Sequence, residues 1–174
     1  NAKEVAAAEA DVFLTWPDTV TEVEKTIKEM TDRSAKKGRT LRYGLRSHVI
    51  VRETEAEARK AAAQLVSKLD DGVGAEIRNR SLDASSVGVS RQIELRQSSD
   101  QDGFAEEGLW TGIGRARSGA GAAIVGDPDQ VVRKIREYQQ IGIEAFIFSG
   151  YPHIEECETF GQLVLPHLTH NSLN

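Results

Sequence analysis

The stretch Arg42-Tyr43-Gly44-Leu45-Arg46-Ser47-His48-Val49-Ile50-Val51-Arg52-Glu53 constrains the fold more than any other part of the chain. Side chains along a strand alternate between two faces. Tyr43, Leu45, Val49 and Val51 fall on one face, with Ser47 as its only polar break. Arg42, Gly44, Arg46, His48 and Ile50 fall on the other. The first face is fit to pack under helices, and the second aims a guanidinium and an imidazole in one direction. Such a strand is either antiparallel with a wet face, or a barrel strand whose inner face lines an anion pocket. Taken alone, the strand fits the wet face better.

The flanking segments change that balance. Val12-Phe13-Leu14-Thr15-Trp16 is a short apolar run of the buried-strand type, closed by Pro17. Thr19 and Glu22 form a capping box, and Val20, Val23, Ile27 and Met30 keep helical spacing toward a stop near Gly38. Thr54 and Glu57 form a second box, opening a helix predicted to run to about Asp71. Asp127 is a good N-cap before Pro128, with Gln130 at the third position and a stripe of Val131, Ile135 and Tyr138 before Gly142. Glu144 to Phe148 reads as another buried strand, and Ile154 to Leu165 as a last helix stopped by Pro166. Strands alternating with long helices imply parallel βα units. That order removes the antiparallel reading and turns Arg46 and His48 toward a barrel interior.

Residues 72–123 break the rhythm. Gly and Ser scatter through a polar stretch, with weak helical patterning only around 84–96. A connection this long inside a compact domain is a functional lid or a disordered segment, so the reading is an insertion acting as a mobile loop. Within it, Gly112 to Gly121 invites a dinucleotide fingerprint, but that motif sits between a first strand and its helix. No clear strand precedes these glycines, and a second turn signal intervenes. A loop carrying Arg115 and Arg117 is the better reading.

Composition excludes several classes. A net charge of −5 without any Lys/Arg run speaks against a nucleic-acid partner. No apolar run reaches membrane-spanning length and no signal-peptide pattern is present. The single cysteine, Cys157, excludes an internal disulfide and fits a reducing, cytoplasmic setting; it reads as an inert core thiol. The histidines lack metal-ligand spacing, and HExxH, CxxC and GxSxG are all missing.

In parallel α/β folds the residues just past the carboxyl ends of strands form the site. Here those are Trp16, then Arg46 and His48, then Ser149, Gly150, Tyr151 and His153. Each has a structural alternative. Trp16 could cap the core, and Arg46 and His48 could form a solvated face. Tyr151 could pack with its hydroxyl satisfied, His153 could cap the last helix, and Arg115 and Arg117 could be solvated charges.

The segments RYGLRSHVIVRETEAEA, GRARSGAGAAIVGDP and IEAFIFSGYPHIEE resemble the C-terminal part of alkanesulfonate monooxygenases, in the flavin-dependent bacterial-luciferase-like superfamily. The resemblance runs from ADVFLTW to LVLPHL. It implies an α/β fold, a partial (β/α)8 TIM barrel consisting of the last three βα units with a long insertion. The first five strands would lie outside the chain, as would the family's N-terminal active-site His and Cys and the glycine/serine loop for the flavin phosphate. The implied cofactor is FMNH2, reduced by a separate NAD(P)H-dependent FMN reductase. The implied reaction uses O2 to oxygenate the carbon beside an alkanesulfonate's sulfur, releasing an aldehyde and sulfite. By matching positions, Arg46 and His48 would meet the sulfonate, Arg117 would close over it, Tyr151 and His153 would lie near the reacting carbon, and Trp16 and Tyr151 would touch the flavin. The family has TWGEP where this chain has TWPDT, so Pro17 alters the loop after Trp16.

Three readings of function follow: part of an alkanesulfonate monooxygenase, a luciferase-like oxygenase for another organosulfur substrate, or a truncated, catalytically inactive piece. Three barrel strands cannot close and leave two unpaired edges, which predicts a homo-oligomer or support from other strands.

Overall fold

The computed structural model describes residues 2–70, 72–74, 76, 86–115 and 120–169. Three strands form its frame: β1 (Val12–Thr15), β2 (Arg42–Val51) and β6 (Ile143–Ser149). All three are parallel, with β2 in the centre. Helix α1 (Ala2–Glu9) precedes β1, and α2 (Val20–Ala35) links β1 to β2. The Thr19 hydroxyl accepts from the Glu22 amide at the start of α2, and Gly38 takes a left-handed φ of 70° in the turn after it. After β2 come α3 (Glu55–Leu65), α4 (Val87–Gln97), the short strands β3 (Phe104–Glu106) and β4 (Leu109–Trp110), and β5 (Ala123–Gly126). Helix α5 (Pro128–Gln140) then leads to β6, and α6 (His153–Leu163) follows it. At α5 the capping box is complete, with Asp127 and Gln130 each bonding the other's backbone amide.

The outer face of β2 is the core. Tyr43, Leu45, Val49 and Val51 pack with Val23 and Met30 of α2 and with Val131, Val132, Ile135 and Tyr138 of α5. The crossover helix between β2 and β6 is therefore α5. Helix α3 instead joins Ile50, on the opposite face of β2, through Ala58 and Ala62, together with Phe104, Trp110, Ile113, Ala123 and Val125. It also ends at Leu65, short of the predicted Asp71. Alanines at helical spacing reveal a packing stripe but not which sheet face receives it.

The excursion between α3 and α5 is more regular than its composition suggests. Where 84–96 shows weak patterning, α4 forms, capped by Ser86. The antiparallel β3–β4 pair continues onto β5, so a strand does precede the glycine run. That strand belongs to a hairpin, and the dinucleotide context is still lacking. His48 pairs in register with Ala123 and with Ser149. Those two partners must flank it on opposite edges. Strand β5 thus takes over the β2 edge that β1 occupies from Arg42 to Leu45.

Polar contacts fasten the excursion to the frame. Asp18, after β1, receives both ends of the Arg91 guanidinium at 2.6 and 2.9 Å, and its backbone carbonyl accepts from the Tyr138 hydroxyl at 2.6 Å. One side chain, Gln92, donates to the Pro17 carbonyl at 2.8 Å and accepts from the Gly121 amide at 2.9 Å. Glu106 accepts from the Val20 amide at the start of α2 and from the buried Lys134 ammonium. The sheet is a curled, open, partial TIM-barrel-like wall. Among the described residues, nothing pairs with the outer edge of β1 or of β6.

Candidate active site

Residues in register on neighbouring parallel strands share a face. Val12 and Leu14 therefore line up with Arg42 and Gly44, and Ala145, Ile147 and Ser149 line up with Gly44, Arg46 and His48. A Cβ on Gly44 would come within 2.8 Å of Leu14 Cδ1, so any larger residue there would make that leucine side chain shift. The result is a concave wall with Val12, Leu14 and Ile147 exposed at 40%, 45% and 50%.

Arg46 stands exposed on this wall. Its neighbours in sequence behave differently. Arg39 reaches Asp11, Arg42 reaches Glu144, and Arg52 binds Glu156 through two nitrogens. Arg46 forms no ion pair among the described residues. A guanidinium without a carboxylate on an apolar wall is a ready partner for an anion's paired oxygens.

One turn of the pleat further, His48 is only 2% exposed. Its Nδ1 lies 2.9 Å from the Ser149 hydroxyl, and its ring centroid lies 5.4 Å from that of Tyr151. The Tyr151 ring meets His153 edge-on at 4.7 Å. Strand β6 and the turn into α6 thus bring Ser149, Tyr151 and His153 onto the His48 end of β2. That turn is tight: a Cβ on Gly150 would overlap the Glu156 side chain. Glu156, 6% exposed, is in turn held by Arg52, which clamps α6 to the end of β2.

Trp16 follows β1 and is half-buried. Gly88 of α4 approaches its indole so closely that an added Cβ would lie 3.1 Å from Cζ3. Pro17 is buried and its carbonyl is occupied by Gln92, so the altered loop is held from the excursion side. Arg117 lies outside the described residues. Cys157 is exposed, in contrast to the core position expected for it. It sits one helical turn after His153, and both line a cavity of about 210 Å³ against Phe148 and Phe160. The outward turn of α6 at this position puts the thiol on the surface.

Arg46, His48, Tyr151 and His153 are therefore on one end of the sheet, with Trp16 at the adjacent strand end. Ser149 is the partner that the sequence leaves without a role. A serine carries no charge and no periodic signal; its place at the carboxyl end of a strand is the only mark it bears. No group of His, Cys, Asp and Glu among the described residues could hold a metal ion, and no described helix is long and apolar enough to cross a membrane.

A curled parallel sheet with its polar cluster at the carboxyl ends of the strands is the layout of a TIM-barrel enzyme. The chain belongs to the luciferase-like monooxygenase family, whose model matches residues 1–145. Members of that family are flavin-dependent and use a reduced flavin cofactor. The whole chain is 61% identical to a sulfoquinovose monooxygenase of Novosphingobium aromaticivorans, covering 48% of that protein. A second sulfoquinovose monooxygenase, from Agrobacterium fabrum, is 53% identical over 99% of the chain and 45% of its own length. The chain thus spans about half the length of the curated relatives it matches. The solved EDTA monooxygenase EmoA from Chelativorans sp. BNC1 shares the fold, with a TM-score of 0.66 at 17% identity over 95% of this chain and 41% of that one.

Proposed function

We propose that the chain forms the anion-binding wall of a two-component, FMNH2-dependent oxygenase that cleaves the C–S bond of a sulfonated sugar of the sulfoquinovose type. The observation that carries this reading is Arg46, uncompensated by any described carboxylate and set among exposed apolar side chains. A sulfonate keeps its charge at every ordinary pH and offers oxygens to a guanidinium fork. The identities of 61% and 53% to sulfoquinovose monooxygenases support a sulfosugar over a simple alkanesulfonate.

The donor set suits a planar flavin and an anion together. Trp16 and Tyr151 offer aromatic faces, while Val12, Leu14 and Ile147 offer dry contact. Bound there, the reduced flavin supplies the two electrons that let O2 oxygenate the sulfur-bearing carbon. The overall change is R–CH2–SO3⁻ + O2 + FMNH2 → R–CHO + HSO3⁻ + FMN + H2O, with FMNH2 regenerated by an NAD(P)H-dependent FMN reductase. Arg46 holds the sulfonate and orients the carbon beside it. His48, screened from water, holds or moves a proton at the end of β2, and Tyr151 packs its ring against it. Arg117 is the proposed second cation over the substrate, and His153 supports Tyr151. The apolar wall keeps water from the reacting carbon.

The test measures sulfite release with FMN, a reductase and NAD(P)H, using this chain mixed with a polypeptide that supplies the five remaining strands. Sulfoquinovose should be turned over faster than octanesulfonate. Arg46→Ala should cut kcat/KM by about 100-fold or more, the scale seen when a charge-stabilising group is removed. Preference for octanesulfonate would return the substrate to the alkanesulfonates. A second reading, an inactive chain that self-associates, is favoured by the open edges of β1 and β6 beside exposed Val12, Leu14 and Ile147. Sulfite release by this chain alone would exclude it.

A further inference from the structure

We infer that α4 positions Trp16, with Gly88, Arg91 and Gln92 as the positioning residues, so that the excursion, and not β1 alone, sets where the indole lies at the strand end. The inference deepens the proposed oxygenase reading and rests on Trp16 offering an aromatic face to the flavin there. The three residues stand at i, i+3 and i+4 of one helix and so share a face. That face meets three consecutive residues after β1. Gly88 lies against the Trp16 indole, Gln92 Nε2 donates to the Pro17 carbonyl at 2.8 Å, and Arg91 donates to both Asp18 carboxylate oxygens at 2.6 and 2.9 Å.

The sense of each polar contact is fixed by its backbone partner. A backbone carbonyl only accepts and a backbone N–H only donates. Gln92 bonds one of each, the Pro17 carbonyl and the Gly121 amide, so its side chain has a single orientation. Gln92 and Asp18 are both buried, so losing a partner leaves a polar group unsatisfied. Asp18 is also held from the frame, where the Tyr138 hydroxyl of α5 donates to its carbonyl at 2.6 Å. Asp18 thus anchors α4 to the frame, and from that anchor Gln92 and Gly88 reach the two residues before it. At 88 the contact is steric. An added Cβ would lie 3.1 Å from Cζ3 and 3.4 Å from Cε3 of the indole, so the ring would have to give way. Alanine suits a helix better than glycine, so helix propensity does not account for Gly88; the nearness of the ring does.

The test labels the chain with 5-fluorotryptophan and reads its 19F spectrum, in which Trp16→Phe assigns the resonances of Trp16 and Trp110. Gly88→Ala and Gln92→Met, which removes both bonds at similar side-chain length, should each shift the Trp16 resonance and leave that of Trp110 in place. Gln92→Glu should shift it at neutral pH and return it toward the wild-type position as the pH falls, when a protonated carboxyl can again donate to Pro17 and accept from Gly121. A Trp16 resonance unmoved in Gly88→Ala and Gln92→Met, or both tryptophans moving together, would overturn the inference. In the reconstituted enzyme, Gln92→Met should raise the KM for FMNH2 severalfold and change kcat little. An unchanged KM there, beside a KM raised by Trp16→Ala, would also overturn it. If Trp16→Ala itself leaves KM unchanged, the flavin contact in the oxygenase reading fails, and the resonance shifts alone decide the role of α4.

Discussion

The two faces of β2 are built by opposite rules from one run of ten residues. On the outer face Leu45 is fully buried, and Val49 and Val51 lie under α2 and α5. On the inner face the first half of the strand is open: Arg46 is exposed among Val12, Leu14 and Ile147. The second half of that same face is closed, with Ile50 under α3 and His48 sealed by Ser149 and Tyr151. The outer face therefore holds the fold together. The inner face divides its length between an open wall bearing Arg46 and a closed end around His48, and the excursion draws the line between them.

The sharpest break of this comparison is a pair of leucine deletions. Leu45→Ala removes a fully buried side chain and should cost about 2–5 kcal/mol, read from urea unfolding midpoints. Leu14→Ala on the open wall should cost under about 0.5 kcal/mol in the same chain. Equal losses would mean that the inner wall is already covered in solution. A smaller effect tests the fastening of the excursion. Asp18→Ala removes the acceptor for Arg91 and for the Thr19 amide and should cost about 2 kcal/mol, the scale of charged hydrogen bonds. Trp16 fluorescence should shift with it, whereas Lys60→Ala on the exposed side of α3 should leave that signal in place.

The smallest effect is a pH dependence on the outer face. Burial, joined by the carboxylates of Glu106, Asp18 and Glu137, pushes the Tyr138 hydroxyl well above its ordinary 10.0. Above pH 10 the unfolded chain releases this proton while the folded chain keeps it. Unfolding then releases a proton, so rising pH favours it. The contribution is complete below about pH 10 and is lost as pH climbs beyond it. Tyr138→Phe should lower stability at neutral pH by about 1 kcal/mol, through the lost bond to the Asp18 carbonyl, and should flatten the alkaline slope. An alkaline slope equal in both proteins would place the titrating group elsewhere.

The frame was legible because its signals are local. The N-caps at Thr19, Thr54 and Asp127, and the period-two pattern of 42–51, each occupy a few consecutive residues and each forms, although the reciprocal bond of the capping box is made only at Asp127 among the three. The excursion was not legible for two reasons. Strands of three and two residues, β3 and β4, are too short to show any period. Its anchors, such as Gln92 to Pro17 and Glu106 to Lys134, join residues far apart in sequence. The side taken by α3 is likewise a tertiary choice. In the site, Arg46, His48, Tyr151 and His153 announced themselves by charge, ring and strand end. Ser149 required the register between β2 and β6, which no single segment encodes.

The hand-over along one edge of β2, from β1 to β5, has an evolutionary consequence. Residues added or deleted between Val51 and Ala123 enter between two points whose pairing is already fixed, at His48 with Ala123 and at Val51 with Gly126. The turns of the excursion can change length without shifting the imidazole by a residue, as long as the anchors at Arg91, Gln92 and Glu106 are kept. Substrate choice and proton chemistry can then diversify at different rates within one polypeptide.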